Sequence, residues 1–282
     1  AVLLNYIKEK DTNGLFGQRY DKEGKSLGNQ FQINTETKGI RSLFSVAIDN
    51  ENNFVVSWRN ELSPPNSELM AQQFNKNCEK IGNELNILPS MKFGSTLTAT
   101  SNLEYFIVSW SAEGGIYIRK FNKKENALNP IENIISNATS PKIGIDKGNN
   151  YYILSNYDLW SFAGGGYNDF YLQKYTISSS KRDELKVNVL DKDSSIKPNV
   201  TRKISQKLLI NSKGMATVSW LSLDHNGWNI WLRIFDENMK PLGNEFKVNS
   251  IPQNTPQEFA VTINDSGNII VVWTSKQGEN YS

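Results

Sequence analysis

Histidine and cysteine are almost missing from this chain: its 282 residues hold one of each. A lone cysteine, Cys78, cannot close an intrachain disulfide or supply a thiolate metal site, and it reads as a bystander thiol in a turn. With His225 as the single histidine, a cluster of imidazole ligands is excluded. A Ser–His–Asp triad within its own loop, Ser222–Gly227, is not expected, because the scaffold would hold its members apart. The longest apolar runs, Phe54–Trp58 and Ile269–Trp273, are far short of the ~20 residues a membrane-spanning helix needs. Neither sign of charge dominates: 31 Lys and Arg stand against 29 Asp and Glu, for a net charge of +2. The pairs Lys123-Lys124 and Lys181-Arg182 read as solvated loop charges, and no basic stripe of a nucleic-acid reader is visible. The loops Asp49–Asn53, Asp191–Asp193 and Asp224–Asn226 are too poor in carboxylates for calcium and read as turns. Neither a metal nor a cofactor is expected.

What is present is a repeated phrase. An apolar strand ending in Trp recurs at Phe54–Trp58, Phe106–Trp110, Ala216–Trp220 and Ile269–Trp273, with degenerate copies at Val2–Tyr6 and Tyr152–Asn156. Taking Tyr6, Trp58, Trp110, Asn156, Trp220 and Trp273 as equivalent, the period is about 50 residues, the mark of a propeller or a similar array. An alternating strand that closes on an aromatic follows five of the six copies: Leu15–Tyr20, Leu69–Phe74, Ile116–Phe121, Phe170–Tyr175 and Ile230–Phe235. Alternation at period two is the signature of a half-buried strand. A further strand follows, clearest in Leu27–Asn34 and Leu242–Asn249. Turns such as Asp49–Asn53, Asp146–Asn149 and Asn264–Gly267 are rich in Asn, Asp and Gly, which tolerate positive φ.

No segment carries a helical period, so the chain reads as all-β. The expected fold is a β-propeller of four-stranded antiparallel blades in a single domain over residues 1–282, with about five repeats and a β-sandwich as the alternative. The repeats fall near 1–39, 40–91, 92–138, 139–199 and 200–253, with a partial one at 254–282. The chain starts at Ala1 rather than Met and is cut mid-repeat at both ends, as expected of a window from a longer array. At these phrases it resembles a loose family of bacterial secreted and cell-surface β-propeller repeat proteins. Their repeats carry a Trp-ending strand, a "Gln-Arg-Phe-Asp" strand and a "Leu-Gly-Asn-Glu-Phe-x-Val-Asn" strand. The resemblance covers essentially the whole chain. It implies an extracellular or cell-surface setting and an adhesin-like scaffold, and the fourth repeat departs most from the pattern.

In an antiparallel four-stranded sheet, the loops from strand two to strand three share one end with the connections to the next repeat. These loops vary in length, and variable loops on a rigid scaffold usually carry binding. The outlier is Tyr157–Asn168, where Tyr157, Trp160, Phe162 and Tyr167 surround Gly164-Gly165-Gly166 beside Asp158 and Asn168. Aromatics beside polar groups suit stacking on a sugar ring; the same aromatics could instead cap a neighbouring blade. The triple glycine is no phosphate loop, since no Gly-Lys-Ser/Thr follows. Trp228, closing the loop Ser222–Trp228, completes the candidate ligand-binding set. Trp58, Trp110, Trp220 and Trp273 read as wedges between blades, with repeated ligand-stacking residues as the alternative. The leading expectation is a non-catalytic recognition module with no catalytic residues. Its partner would be a glycan or a surface protein, with neighbouring domains or copies in a larger assembly as further partners, and with no nucleic acid and no membrane insertion. A structural scaffold or assembly subunit is one alternative, and a glycoside hydrolase or lyase the second.

Overall fold

The computed structural model describes residues 2–8, 13–21, 23–35, 39–63, 66–91, 96–112, 114–157, 169–177, 182–188, 203–224, 227–250, 258–274, 276–277 and 280–281. Among them there is no helix, and every strand pair is antiparallel. The chain forms two compact units, Ala1–Ser136 and Asn137–Ser282.

The first unit holds three sheets. β1 (Val2–Lys8), β2 (Asn13–Arg19) and β3 (Phe31–Gln32) make a three-stranded one. β4 (Ile40–Ile48), β5 (Phe54–Ser63), β6 (Asn66–Phe74) and β7 (Lys80–Met91) follow in strict chain order. The third sheet orders β8 (Leu97–Ser101), β9 (Tyr105–Ala112), β10 (Gly115–Asn122) and β11 (Ala127–Leu128), with β12 (Glu132–Ser136) also pairing β10. The second unit repeats the four-stranded plan twice. One sheet is β13 (Ala138–Ile145), β14 (Asn150–Tyr157), β15 (Phe170–Thr176) and β16 (Arg182–Lys186). The next is β17 (Lys203–Ile210), β18 (Ala216–Asp224), β19 (Gly227–Phe235) and β20 (Phe246–Lys247). Two hairpins complete it: β21 (Phe259–Ile263) with β22 (Ile269–Trp273), and β23 (Lys276–Gln277) with β24 (Asn280–Tyr281).

Turn chemistry closes one end of these sheets. Asp49, Asn102, Asp146, Asn211 and Asn264 each accept main-chain N–H bonds from residues two to four places on, closing the hairpin from the first to the second strand. Asn75, Asn122 and Asp236 do the same between third and fourth strands, and Asp21 does so between β2 and β3 of the three-stranded sheet. A short side chain that bonds its own backbone two residues on is what makes Asx turns recur here. Beside this end, cross-strand aromatic pairs stack: Phe54 on Phe74 at 4.9 Å, Phe106 on Phe121 at 4.8 Å and Tyr151 on Tyr175 at 5.0 Å. Such pairs contribute roughly 0.5–1.5 kcal/mol beyond the area they bury.

These pairs also fix the register of the degenerate repeat. Trp58 lies four residues after Phe54 and Trp110 four after Phe106, so the residue four after Tyr151 is Ser155. The Trp position of that repeat is therefore Ser155, and the expected equivalence at Asn156 is one place late. Trp58, Trp110 and Trp220 are buried and pack in cores between sheets. In one, Val55, Leu69 and Ala71 meet Phe106, Val108 and Trp110; in another, Tyr152, Leu154 and Phe170 meet Val218, Trp220 and Phe235. Trp273 differs, at 40% exposed.

Candidate active site

The opposite end of the sheets holds the connections from second to third strand. In the β4–β7 sheet the apolar pattern gives way there to charge. In β4–β6, Arg41 lies opposite Asn60, and Asn60 opposite Glu68, so Arg, Asn and Glu form a ladder on one face. Arg41 and Asn60 are buried, and Asn60 Nδ2 donates to Glu68 Oε2 at 3.5 Å. Glu61 pairs with Ser67 and so points to the other face; it accepts from Ser42 Oγ at 2.6 Å and lies 3.7 Å from Arg59 Nε. Adjacent positions on a strand face opposite sides. Glu61 and Glu68 therefore do not converge, and they do not make the facing carboxylates that glycoside hydrolysis uses.

A repeated irregularity shapes the first strand of three sheets. Leu43, Ser140 and Ser205 take positive φ of 48°, 55° and 56°. The pairing register shifts at each, between Ser42 and Ser45, Thr139 and Lys142, and Ile204 and Lys207. A bulge inserts an extra residue and re-aims the side chains after it. In the second unit the two bulges are tied together: Gln206 Nε2 donates to Ser140 O at 3.2 Å and to Asn156 Oδ1 at 3.0 Å. Beyond the bulges, β13 and β17 press so close that a Cβ on Gly144 would overlap the Ile210 side chain. Lys142 and Lys207 occupy the matching place just after each bulge, opposite Leu154 and Ser219. Burial and then the charge of Lys207 hold the Lys142 amine below the ordinary lysine range. Lys207 Nζ sits 5.7 Å over the Phe259 ring. These lysines carried no motif, and only the tertiary packing of two first strands reveals the pair.

Of the residues singled out by sequence, Asp158, Trp160, Phe162, Tyr167 and Asn168 lie outside the described residues, as does His225. Tyr157 closes β14 opposite Ala138. Where the chain returns, Asp169 is engaged: Lys186 Nζ lies 2.6 Å from Oδ2, and Asn188 Nδ2 donates to Oδ1 at 2.9 Å. Trp228 is 7% exposed and packs with Leu221, Ile230 and Phe259, so its ring is a core element and not a platform open to a ligand. Its neighbours on β18, β19 and β21 are apolar at the facing positions, which is the physical reason it turns inward. Among the described residues no group of three or more His, Cys, Asp or Glu side chains is placed to hold a metal ion, and no helix is long and apolar enough to cross a membrane.

No protein-family model and no curated protein sequence matches the chain. Solved structures do match in fold. One is a polysaccharide lyase of family PL25, an ulvan lyase bound to -[GlcA(1-4)Rha3S]-, with a TM-score of 0.59 and 11% identity over 94% of this chain and 68% of that one. A Synechocystis apocarotenoid oxygenase matches with a TM-score of 0.53 and 10% identity over 98% of this chain and 61% of that one. Prolyl oligopeptidase B from Galerina marginata matches with a TM-score of 0.53 and 8% identity over 98% of this chain and 37% of that one. At such identities the likeness is one of fold. It corrects the expectation of a non-catalytic recognition module: the three named structures that share this fold are enzymes, one of them a polysaccharide lyase. The adhesin-like resemblance gains no family support from these matches.

Proposed function

We propose that the chain is a glycan-processing enzyme, a lyase or hydrolase, working at the end of its sheets where second and third strands connect. The sheets are then blades of a β-propeller, and the setting is outside a bacterial cell, where polysaccharides are met. The observation that carries the reading is the separation of the two strand ends. One end is closed by repeated Asx turns. The other gathers Arg41, Asn60 and Glu68 in the first unit. In the second, Lys142 and Lys207 stand mid-strand, just past the bulges that Gln206 ties together. The shared fold of a polysaccharide lyase supports the same reading. By sequence, Tyr157, Asp158, Trp160, Phe162, Tyr167 and Asn168 add aromatic and polar groups suited to sugar rings. The test is new chain ends released from a panel of neutral and acidic polysaccharides. Cleavage of at least one polymer is expected, slowed in Trp160→Ala. A panel left intact by folded protein would sink the proposal.

A further inference from the structure

We propose that Lys142 and Lys207 form a site for an acidic polysaccharide, in which Lys207 holds the carboxylate of a uronic acid unit and Lys142 takes the proton from the adjoining ring carbon. This rests on the glycan-processing reading and makes the enzyme a lyase.

The two lysines are placed together by construction of the strands. Their positions match across β13 and β17, each just past a bulge. The Gln206 amide pins one bulge to the other, and Gly144 lets the strands close in. Neither lysine forms an ion pair with a carboxylate among the described residues. A like-charge pair without a counter-ion is relieved in one of two ways: the more buried member gives up its proton, or an anion joins the charged one. The Phe259 ring steadies the Lys207 ammonium but does not neutralise it. The charge of Lys207 is the one that bears on Lys142. Burial and that neighbour favour the neutral amine of Lys142, and a neutral amine is what a general base must be.

The chemistry balances without water, oxidant or metal. A proton on the carbon next to a carboxylate becomes acidic once Lys207 offsets the carboxylate charge. That proton moves to the Lys142 nitrogen, and its electron pair forms the C4–C5 double bond. The C4–O bond breaks, its electrons stay on oxygen, and the leaving oxygen gains a proton from the Lys142 ammonium. One glycosidic bond is exchanged for an alkene and a hydroxyl. Hydrolysis by paired acids has no such support, since Glu61 and Glu68 face apart.

The whole chain should be assayed on polyglucuronate and polygalacturonate, on their carboxyl-reduced forms, on neutral arabinan, and on dextran sulfate as a sulfate-only polyanion. Expected are unsaturated, ultraviolet-absorbing ends from a polyuronate and none from its reduced form. Lys142→Gln should lower kcat by about 100-fold or more with KM little changed. Lys142→Arg should keep polymer binding and lose turnover, because a guanidinium stays protonated. Lys207→Gln should raise KM by about tenfold. It should also move the acidic limb of the kcat/KM profile to higher pH, a shift that loss of packing alone would not produce. Circular dichroism of each variant checks the fold. Polyuronate cleavage that survives in Lys142→Gln overturns the proposal. So does binding of dextran sulfate without any action on a polyuronate. Hydrolysis of arabinan alone overturns it while leaving the glycan-processing reading in place, and no cleavage of any polymer removes both.

Discussion

Asn34, Asn188 and Asn249 do the same job in three sheets. Each amide oxygen accepts a main-chain N–H bond, from Leu15 of β2 at 2.6 Å, Phe170 of β15 at 2.8 Å and Ile230 of β19 at 2.7 Å. The "Val-Asn" ending of the repeat is thus a hydrogen-bond requirement of a buried backbone donor. Replacing Asn249 by Ala should leave the Ile230 N–H unpaired and cost about 1–3 kcal/mol, read as a lower midpoint in urea. The repeated serine of "Val-Ser-Trp" behaves in the opposite way. Ser57, Ser109 and Ser219 are buried, and their hydroxyls have no hydrogen-bond partner among the described residues. Ser219→Ala should therefore be neutral or stabilising, by up to about 1 kcal/mol, since it removes a desolvated group that bonds nothing. A loss of more than that would show that the hydroxyl is engaged.

At the scale of the element, sheets are joined by arginines that reach from a third strand to the main chain in or just after the preceding sheet's fourth strand. Arg119 Nη1 donates to Ile87 O at 2.6 Å, and Arg233 Nη1 donates to Val187 O at 2.5 Å. Both sit at matching places in the alternating strand, where a short polar side chain could not span the gap. Arg233→Lys should weaken the second unit, because the ammonium must reach the same Val187 carbonyl and loses the planar guanidinium stacked over the Phe235 ring. The close approach of β13 and β17 makes a sharper case. Gly144→Ala forces a methyl into Ile210, so the strands must part, at a cost of about 1–3 kcal/mol. The same variant spreads Lys142 from Lys207. It should therefore also return the Lys142 amine toward ordinary basicity, visible by nitrogen NMR of labelled lysine.

Across the whole molecule, the net charge of +2 provides no general attraction for a polyanion, so any such binding must be local to the lysine pair. Alkaline pH tests the core of the second unit. Tyr152 is fully buried and donates from its hydroxyl to Asp146 Oδ2 at 3.2 Å. Burial first, and then the Asp146 charge, raise its ionisation well above that of a free tyrosine. An unfolded tyrosine ionises near pH 10. Below that value both states keep the proton and the contribution is whole. As pH rises past about 10, the unfolded chain ionises while the folded one resists, so stability falls toward the folded pKa. Tyr152→Phe should flatten this alkaline loss in melts taken between about pH 9 and 11, though it lowers stability at neutral pH by removing a partner of Asp146.

Much of the architecture was legible in the residues themselves. Period-two alternation and Asx turns depend on one residue and its near neighbours, so Leu69–Phe74 and Asp49–Asn53 announce a strand and a reversal without knowledge of the rest. The Trp-ending phrase marked the second strands because large apolar side chains must be buried somewhere. Register was less secure: Asn156 looked like the Trp position until the Tyr151–Tyr175 stack placed Ser155 there. Trp228 looked like a loop aromatic, and only its packing with Leu221, Ile230 and Phe259 turned it inward. The lysine pair was illegible, since residues 142 and 207 share no local signal. The sequence by itself determined strands, turns and their repetition, because those follow from short-range propensity and patterning. Tertiary structure alone decided which charges meet, because a bulge, a glycine and one glutamine amide bring two distant strands together.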